Sequence, residues 1–256
     1  MAMCLKDARD DAVIGRRHAI EAFVTCIFEE CSNTDRAVKS LHEEEEYADL
    51  TIECGGRTYR VHKAIVCGQS DWFQAACRKD TFKEGRESTI VLKTSSDPAE
   101  DQTGLDDPEA IRHMVHYLYH GDYNNFPKRN KEGDKVTTLE ADRTLATSAS
   151  VFATAIKYGI EDLRHLASAY YSEIACGPKI KQQVINVEDI AQAIRTAHSA
   201  IPPDVKDLRE ATSKMLLGHP TLIHDERVTA AIEETPRAAF ELLLESHNLQ
   251  QQVAKR

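Results

Sequence analysis

Five segments between residues 47 and 123 decide how this chain is read: YADLTIECGGRTYRVHKAIV (47–66), SDWFQAAC (70–77), TFKEG (81–85), STIVL (88–92) and YLYHGDY (117–123). In the first, Leu50, Ile52 and Cys54 alternate with Thr51 and Glu53, the period of a strand with one buried face. Gly55-Gly56 supplies a two-residue turn, and Thr58, Tyr59 and Val61 continue on a second strand, so residues 49–62 are predicted to form a β-hairpin. Two short helices, 64–67 and 71–77, are expected on either side of Gly68, then a third strand over 88–92. No catalytic constellation lies in this stretch.

Outward from it, the period is helical. Ile20, Phe23, Val24, Ile27, Phe28 and Cys31 fall at offsets 0, 3, 4, 7, 8 and 11, an amphipathic helix over 17–31. A second helix is expected from Asp35 through Val38 and Leu41 into Glu43–Glu46. After an acidic loop (95–107), Pro108 opens a helix that ends at YLYHGDY. A polar loop (124–139) separates it from helices over 141–158 and 161–176, divided by Gly159. Helices over 187–198, 205–217 and 236–246 follow, with Asp204 expected to cap the second and Gly218 to end it. No strand pattern returns after residue 177.

Composition narrows the function classes. The 256 residues carry a formal net charge of −10 with 29% charged residues, unlike the concentrated positive surface that binding nucleic acid calls for. No apolar run approaches the roughly 20 residues a membrane span needs, and the N-terminus has no secretory h-region. Seven scattered cysteines without a C-x-x-C pair fit free thiols in a reducing compartment. The expected location is therefore intracellular, in cytoplasm or nucleus, with no membrane or nucleic-acid partner.

Candidate chemistry is sparse. His113, His116 and His120 share a helix face, a spacing that could hold a metal. With Ile111, Met114, Val115 and Leu118 assigned to the other face, these histidines are expected to point to solvent. The acidic pairs Asp106-Asp107 and Glu161-Asp162 fall at helix starts, where capping accounts for them. The cluster Lys128-Arg129-Asn130-Lys131 reads as a solvated loop. No nucleophile elbow, phosphate-binding loop or dinucleotide fingerprint is present. No enzyme activity, cofactor or metal is expected.

The order of hairpin, two short helices, strand, long helix and helix pair resembles the BTB/POZ family, particularly its small fungal members, over residues 37–176. Asp49 stands at the family's "D-hydrophobic-T" strand entry and Val61-His62-Lys63 at its "hydrophobic-His-Lys" segment. Ser70-Asp71-Trp72-Phe73 matches "S-x-x-F". Tyr117–Tyr123 matches "YLYTGDY" with His120 for Thr, and Ala155–Ile160 matches "A-x-K-Y-G-I". The resemblance implies an α+β fold, a small mostly antiparallel sheet flanked by helices. An N-terminal helical extension (1–36) would precede it and an all-helical region (177–256) would follow.

The resemblance also carries functional expectations. It implies a protein–protein interaction scaffold that homodimerises, with Val38 and Leu41, and with them Ile20, Phe23 and Ile27, as interface residues. Asp49 at the strand start would form a structural charged pair with Lys63, or with His62, at the hairpin end, and Trp72, Phe73, Tyr117 and Tyr119 would fill the seam between sheet and helices. Many family members are substrate adaptors of cullin-3 ubiquitin ligases. Their hydrophobic-x-Glu contact corresponds here to Phe82-Lys83-Glu84. The alternative is a transcription or chromatin regulator acting through corepressor binding.

Overall fold

The computed structural model describes residues 35–78, 86–94, 105–123, 128–129, 135–136, 144–177 and 186–254. The chain divides into two compact units, Met1–Tyr47 and Ala48–Arg256. In the first, helix α1 spans 35–44 and places Val38 and Leu41 three residues apart on one face. Ile20, Phe23 and Ile27 lie outside the described residues.

The second unit opens on the hairpin. β1 (Leu50–Cys54) pairs antiparallel with β2 (Arg57–Val61), with Leu50 opposite Val61 and Cys54 opposite Arg57. Both turn glycines have positive φ, 56° and 75°, as a two-residue hairpin turn requires. Gly55 is doubly constrained, because a Cβ there would lie 2.5 Å from Pro108 Cγ. Leu50, Ile52 and Cys54 are buried, which fixes the register, since a slip of one residue would turn them outward.

Helices α2 (Lys63–Gln69) and α3 (Asp71–Ala76) lead to β3 (Thr89–Val91), which joins β1 in parallel. The sheet order is β2-β1-β3. It is therefore mixed rather than mostly antiparallel, because the two-helix crossover returns the chain in the direction of β1. α4 (Pro108–His120) follows, then a two-stranded ribbon of β4 (Lys128–Arg129) and β5 (Lys135–Val136) inside the stretch expected to be loop. α5 (Leu145–Tyr158) and α6 (Glu161–Cys176) form the expected pair, with Gly159 at φ 64° ending α5.

The C-terminal helices are α7 (Val187–Ser199), α8 (Asp207–Gly218), α9 (Glu226–Glu234) and α10 (Pro236–Ala254), with a 3-10 turn at Pro220–His224. α9 has no counterpart in the sequence reading, and α8 starts at Asp207 with no side-chain cap from Asp204. These helices share the core of the second unit. α7 packs on α5, and α8 on α6. Asp189 of α7 accepts from the Leu145 and Ala146 amides at 2.9 and 3.0 Å, capping α5 from a different helix. Tyr171 of α6 meets Thr212 of α8 at 2.7 Å.

The end of α7 is held by charge. Arg209, only 2% exposed, donates to the carbonyls of Ala197, Ile201, Pro202 and Pro203. Glu241 of α10 lies 3.6 Å from Arg209, 2.8 Å from Arg237 and 3.8 Å from His198 Nδ1. Burial, reinforced by Arg209 and Arg237 and opposed by Glu241, pushes the His198 imidazole down to about 4. A base depressed by folding stabilises in its neutral form. That contribution is complete above about pH 6.5, the unfolded value, and is lost as the pH falls toward 4, where only the unfolded chain takes up the proton. His198→Gln is expected to remove about 2 kcal/mol of the stability lost between about pH 7 and about pH 5, read from urea unfolding at both pH values. Equal pH slopes for wild type and variant would contradict this.

Candidate protein-interaction surface

The surface is built where α3 meets the end of α5. Ser70 caps α3, accepting from the Phe73 amide at 3.1 Å, and its hydroxyl donates to the Tyr158 carbonyl at 2.5 Å. The Ser-x-x-Phe spacing is thus a helix cap that also ties α3 to α5. Phe73 is fully buried and stacks on the Tyr158 ring (5.1 Å between centroids, 17°). Trp72 stands edge-on to both rings, at 5.0 and 4.9 Å.

Asp106 completes the frame. Its buried carboxylate accepts from Lys157 Nζ and the Tyr158 hydroxyl, each at 2.7 Å. Its amide donates to the Lys93 carbonyl at 2.7 Å. Burial first, then the Asp106 carboxylate, raises the Tyr158 phenol far above its ordinary value, so Tyr158 stays a donor. Burial and the same carboxylate push the Cys54 thiol up to about 11. Capping therefore explains only Asp107, which accepts from the Glu109 amide at 2.9 Å. Asp106 instead joins β3, α4 and α5. Its partner Lys157 stands inside the Ala155–Ile160 motif, but sequence spacing gave no sign that residues 106 and 157 meet.

Between these elements lies an open groove of about 410 Å³. Trp72, Ala75 and Ala76 form one wall, Val91 and Leu92 of the β3 side another, and Lys93, Asp106 and Lys157 supply the polar groups. Trp72 is 39% exposed and Val91 67%. Trp72 is thus only partly the seam filler expected, and Tyr117 is also only half-buried, while Phe73 and Tyr119 are in the core. The difference arises because α3 buries one face alone, with Phe73 inward and Trp72 at its edge. β3 is an edge strand, and its outward Val91 extends the apolar rim. Phe82, Lys83 and Glu84 fall outside the described residues, in the segment between α3 and β3.

Asp49 and Lys63 are joined through the backbone. The Lys63 amide donates to Asp49 Oδ1 at 2.7 Å, while Lys63 Nζ donates to Ser88 Oγ at 2.7 Å. Asp49 thus tethers the start of α2 to the entry of β1, and the lysine chain ties α2 to β3. His62 is held by Tyr119, whose hydroxyl accepts from the His62 amide and faces its Nδ1, both at 2.8 Å.

The histidine face of α4 departs from expectation. His113 and His116 are 2% and 4% exposed, not solvent-facing. Their Nδ1 atoms lie 2.8 Å from the Tyr123 and Asp122 carbonyls. The chain folds back after Gly121, at φ 67°, and the imidazole N–H groups satisfy those carbonyls, which makes burying the rings tolerable. His116 also stacks on His120 at 4.0 Å, and burial lowers its pKa. Among the described residues no group of three or more His, Cys, Asp or Glu side chains is arranged to hold a metal. No described helix is long and apolar enough to cross a membrane.

Comparison with known proteins finds two similarities. Residues 94–176, from the exit of β3 through α6, match the family model described as the HAC6 N-terminal domain. Kelch repeat and BTB domain-containing protein 4 from Homo sapiens is 28% identical over 103 residues, 39% of this chain and 17% of the relative. The protein of the same name from Macaca fascicularis is 29% identical over the same shares, and that from Pongo abelii 28%, covering 18% of the relative. The chain thus spans less than a fifth of the length of these relatives. What it has in common with them is a stretch of 103 residues similar to BTB-containing proteins.

Proposed function

We propose that this chain is a non-enzymatic protein–protein interaction module of BTB/POZ type, with the α3–β3–α5 groove as its partner surface. The observation that carries the reading is the exposure of Trp72 and Val91 beside a groove whose frame is rigidly pinned by Phe73, Tyr158 and Asp106. Large apolar side chains held in place on a fixed scaffold, with a polar rim, are what a binding hot spot needs. The similarity to BTB-containing proteins supports the same reading.

In its sharper form the partner is the N-terminal region of cullin-3, met by the groove together with Phe82 and Glu84, and the chain self-associates through the Val38/Leu41 face of α1. In a pull-down with that cullin region, Val91→Glu, Phe82→Ala and Glu84→Lys are each expected to weaken binding on the order of tenfold or more. Retention of wild type and all three variants alike, or of none, would remove the role of this surface. Val91 is chosen because it is exposed, so its replacement leaves the core intact. Light scattering tests self-association separately: wild type is expected at dimer mass, and Leu41→Glu at monomer mass.

A further inference from the structure

The backbone of β3 faces two ways, and only one side is used by the sheet. The Ser88 carbonyl accepts from the Thr51 amide at 2.9 Å, and the Leu92 amide donates to the Glu53 carbonyl at 2.8 Å, so residues 88, 90 and 92 address β1. Backbone groups alternate in direction along a strand, so those of Thr89, Val91 and Lys93 point to the opposite edge. The Lys93 carbonyl accepts there from the Asp106 amide at 2.7 Å. Among the described residues no strand pairs with Thr89 or Val91 on that side.

The groove beside this edge has a definite chemistry. Trp72, Ala75, Ala76 and Val91 make it apolar, and the Asp106 carboxylate is already committed to Lys157 and Tyr158. Lys93 lines the same groove, is exposed, and has no carboxylate in ion-pair contact among the described residues. With Asp106 and Lys157 balancing each other, the Lys93 ammonium leaves the lining net positive, in a chain whose formal net charge is −10. We propose that the groove takes an extended segment of a partner protein, which adds as a strand along Thr89–Val91, seats an apolar side chain against Trp72 and sets a carboxylate on Lys93. Main-chain hydrogen bonds hold a segment added at a sheet edge, and side-chain pockets select it. The inference rests on the groove being the partner surface and adds the chemistry of the partner: an acidic residue close to an apolar one on extended backbone.

Random peptides displayed on phage would be selected on the full-length protein, then synthesised and titrated by fluorescence anisotropy. The recovered peptides are expected to carry Asp or Glu close to a large apolar residue and to slow hydrogen exchange at the Thr89 and Val91 amides. They should bind Lys93→Glu about tenfold more weakly at low salt, a difference that shrinks at high salt, with Lys93→Gln between the two. Lys93 and Val91 are exposed, so their variants should keep the wild-type urea midpoint. Peptides that bind Lys93→Glu like wild type but lose Val91→Glu would overturn the proposal while leaving the groove as the partner surface. Unchanged exchange at Thr89 and Val91 in the bound state would do the same. No recovered peptide, or peptides indifferent to both variants, would overturn the proposal, and the pull-down then decides the surface itself. If light scattering shows either variant turning a dimer into monomer, a second copy of the chain occupies the groove and the proposal fails.

Discussion

Replacing Arg209 by alanine is expected to cost about 4 kcal/mol of unfolding free energy, read as a lowered urea midpoint with little change in slope. The guanidinium is the donor to four carbonyls, those of Ala197, Ile201, Pro202 and Pro203, and sits beside Glu241. Without it the end of α7 and the following turn hold buried acceptors with no donor, Glu241 loses one of its cations, and a cavity opens. Arg209→Lys should recover little, because a lysine ammonium has three donors on one atom and cannot span the four carbonyls that the guanidinium fork reaches. A loss below about 1 kcal/mol would show that water reaches these carbonyls and that the fork contributes little.

Phe73→Ala is the second large effect, at about 3–5 kcal/mol, the range for deleting a buried aromatic side chain. Phe73 is fully buried: it fills the space between α3 and Tyr158 and supports the edge of Trp72. Phe73→Leu keeps much of that volume and is expected to cost only about 1–1.5 kcal/mol. Paired measurements also separate frame from surface. Phe73→Ala should lower both stability and partner retention, whereas Val91→Glu should lower retention alone. If Phe73→Ala unfolds no more easily than wild type, α3 is not anchored by this stack.

Much of the architecture was legible because it is written in local chemistry. The alternation of Leu50, Ile52 and Cys54 and the Gly55-Gly56 turn produce the hairpin. Ser70 three residues before Phe73 produces the α3 cap, and Gly159 the break between α5 and α6. The helix at Glu226–Glu234 was less visible. It is nine residues long and buries only Val228 and Ala231, too few apolar positions to stand out from its polar neighbours. α4 misled for the opposite reason. Its apolar positions predict one buried face, but burial of the other flank depends on the chain returning after Gly121 to offer carbonyls to His113 and His116.

By itself, the sequence determined the elements: period, turn glycines and caps act over a few residues, so they are readable wherever those residues are. Only the tertiary structure decided which side chains meet. It placed Asp106 against Lys157 and Tyr158, directed Asp49 to the Lys63 amide, buried the histidines of α4 and left Trp72 and Val91 exposed beside a groove. Each of these depends on groups brought together by packing across elements. Their energies come from desolvation and geometry at the meeting point, which no spacing along the chain encodes.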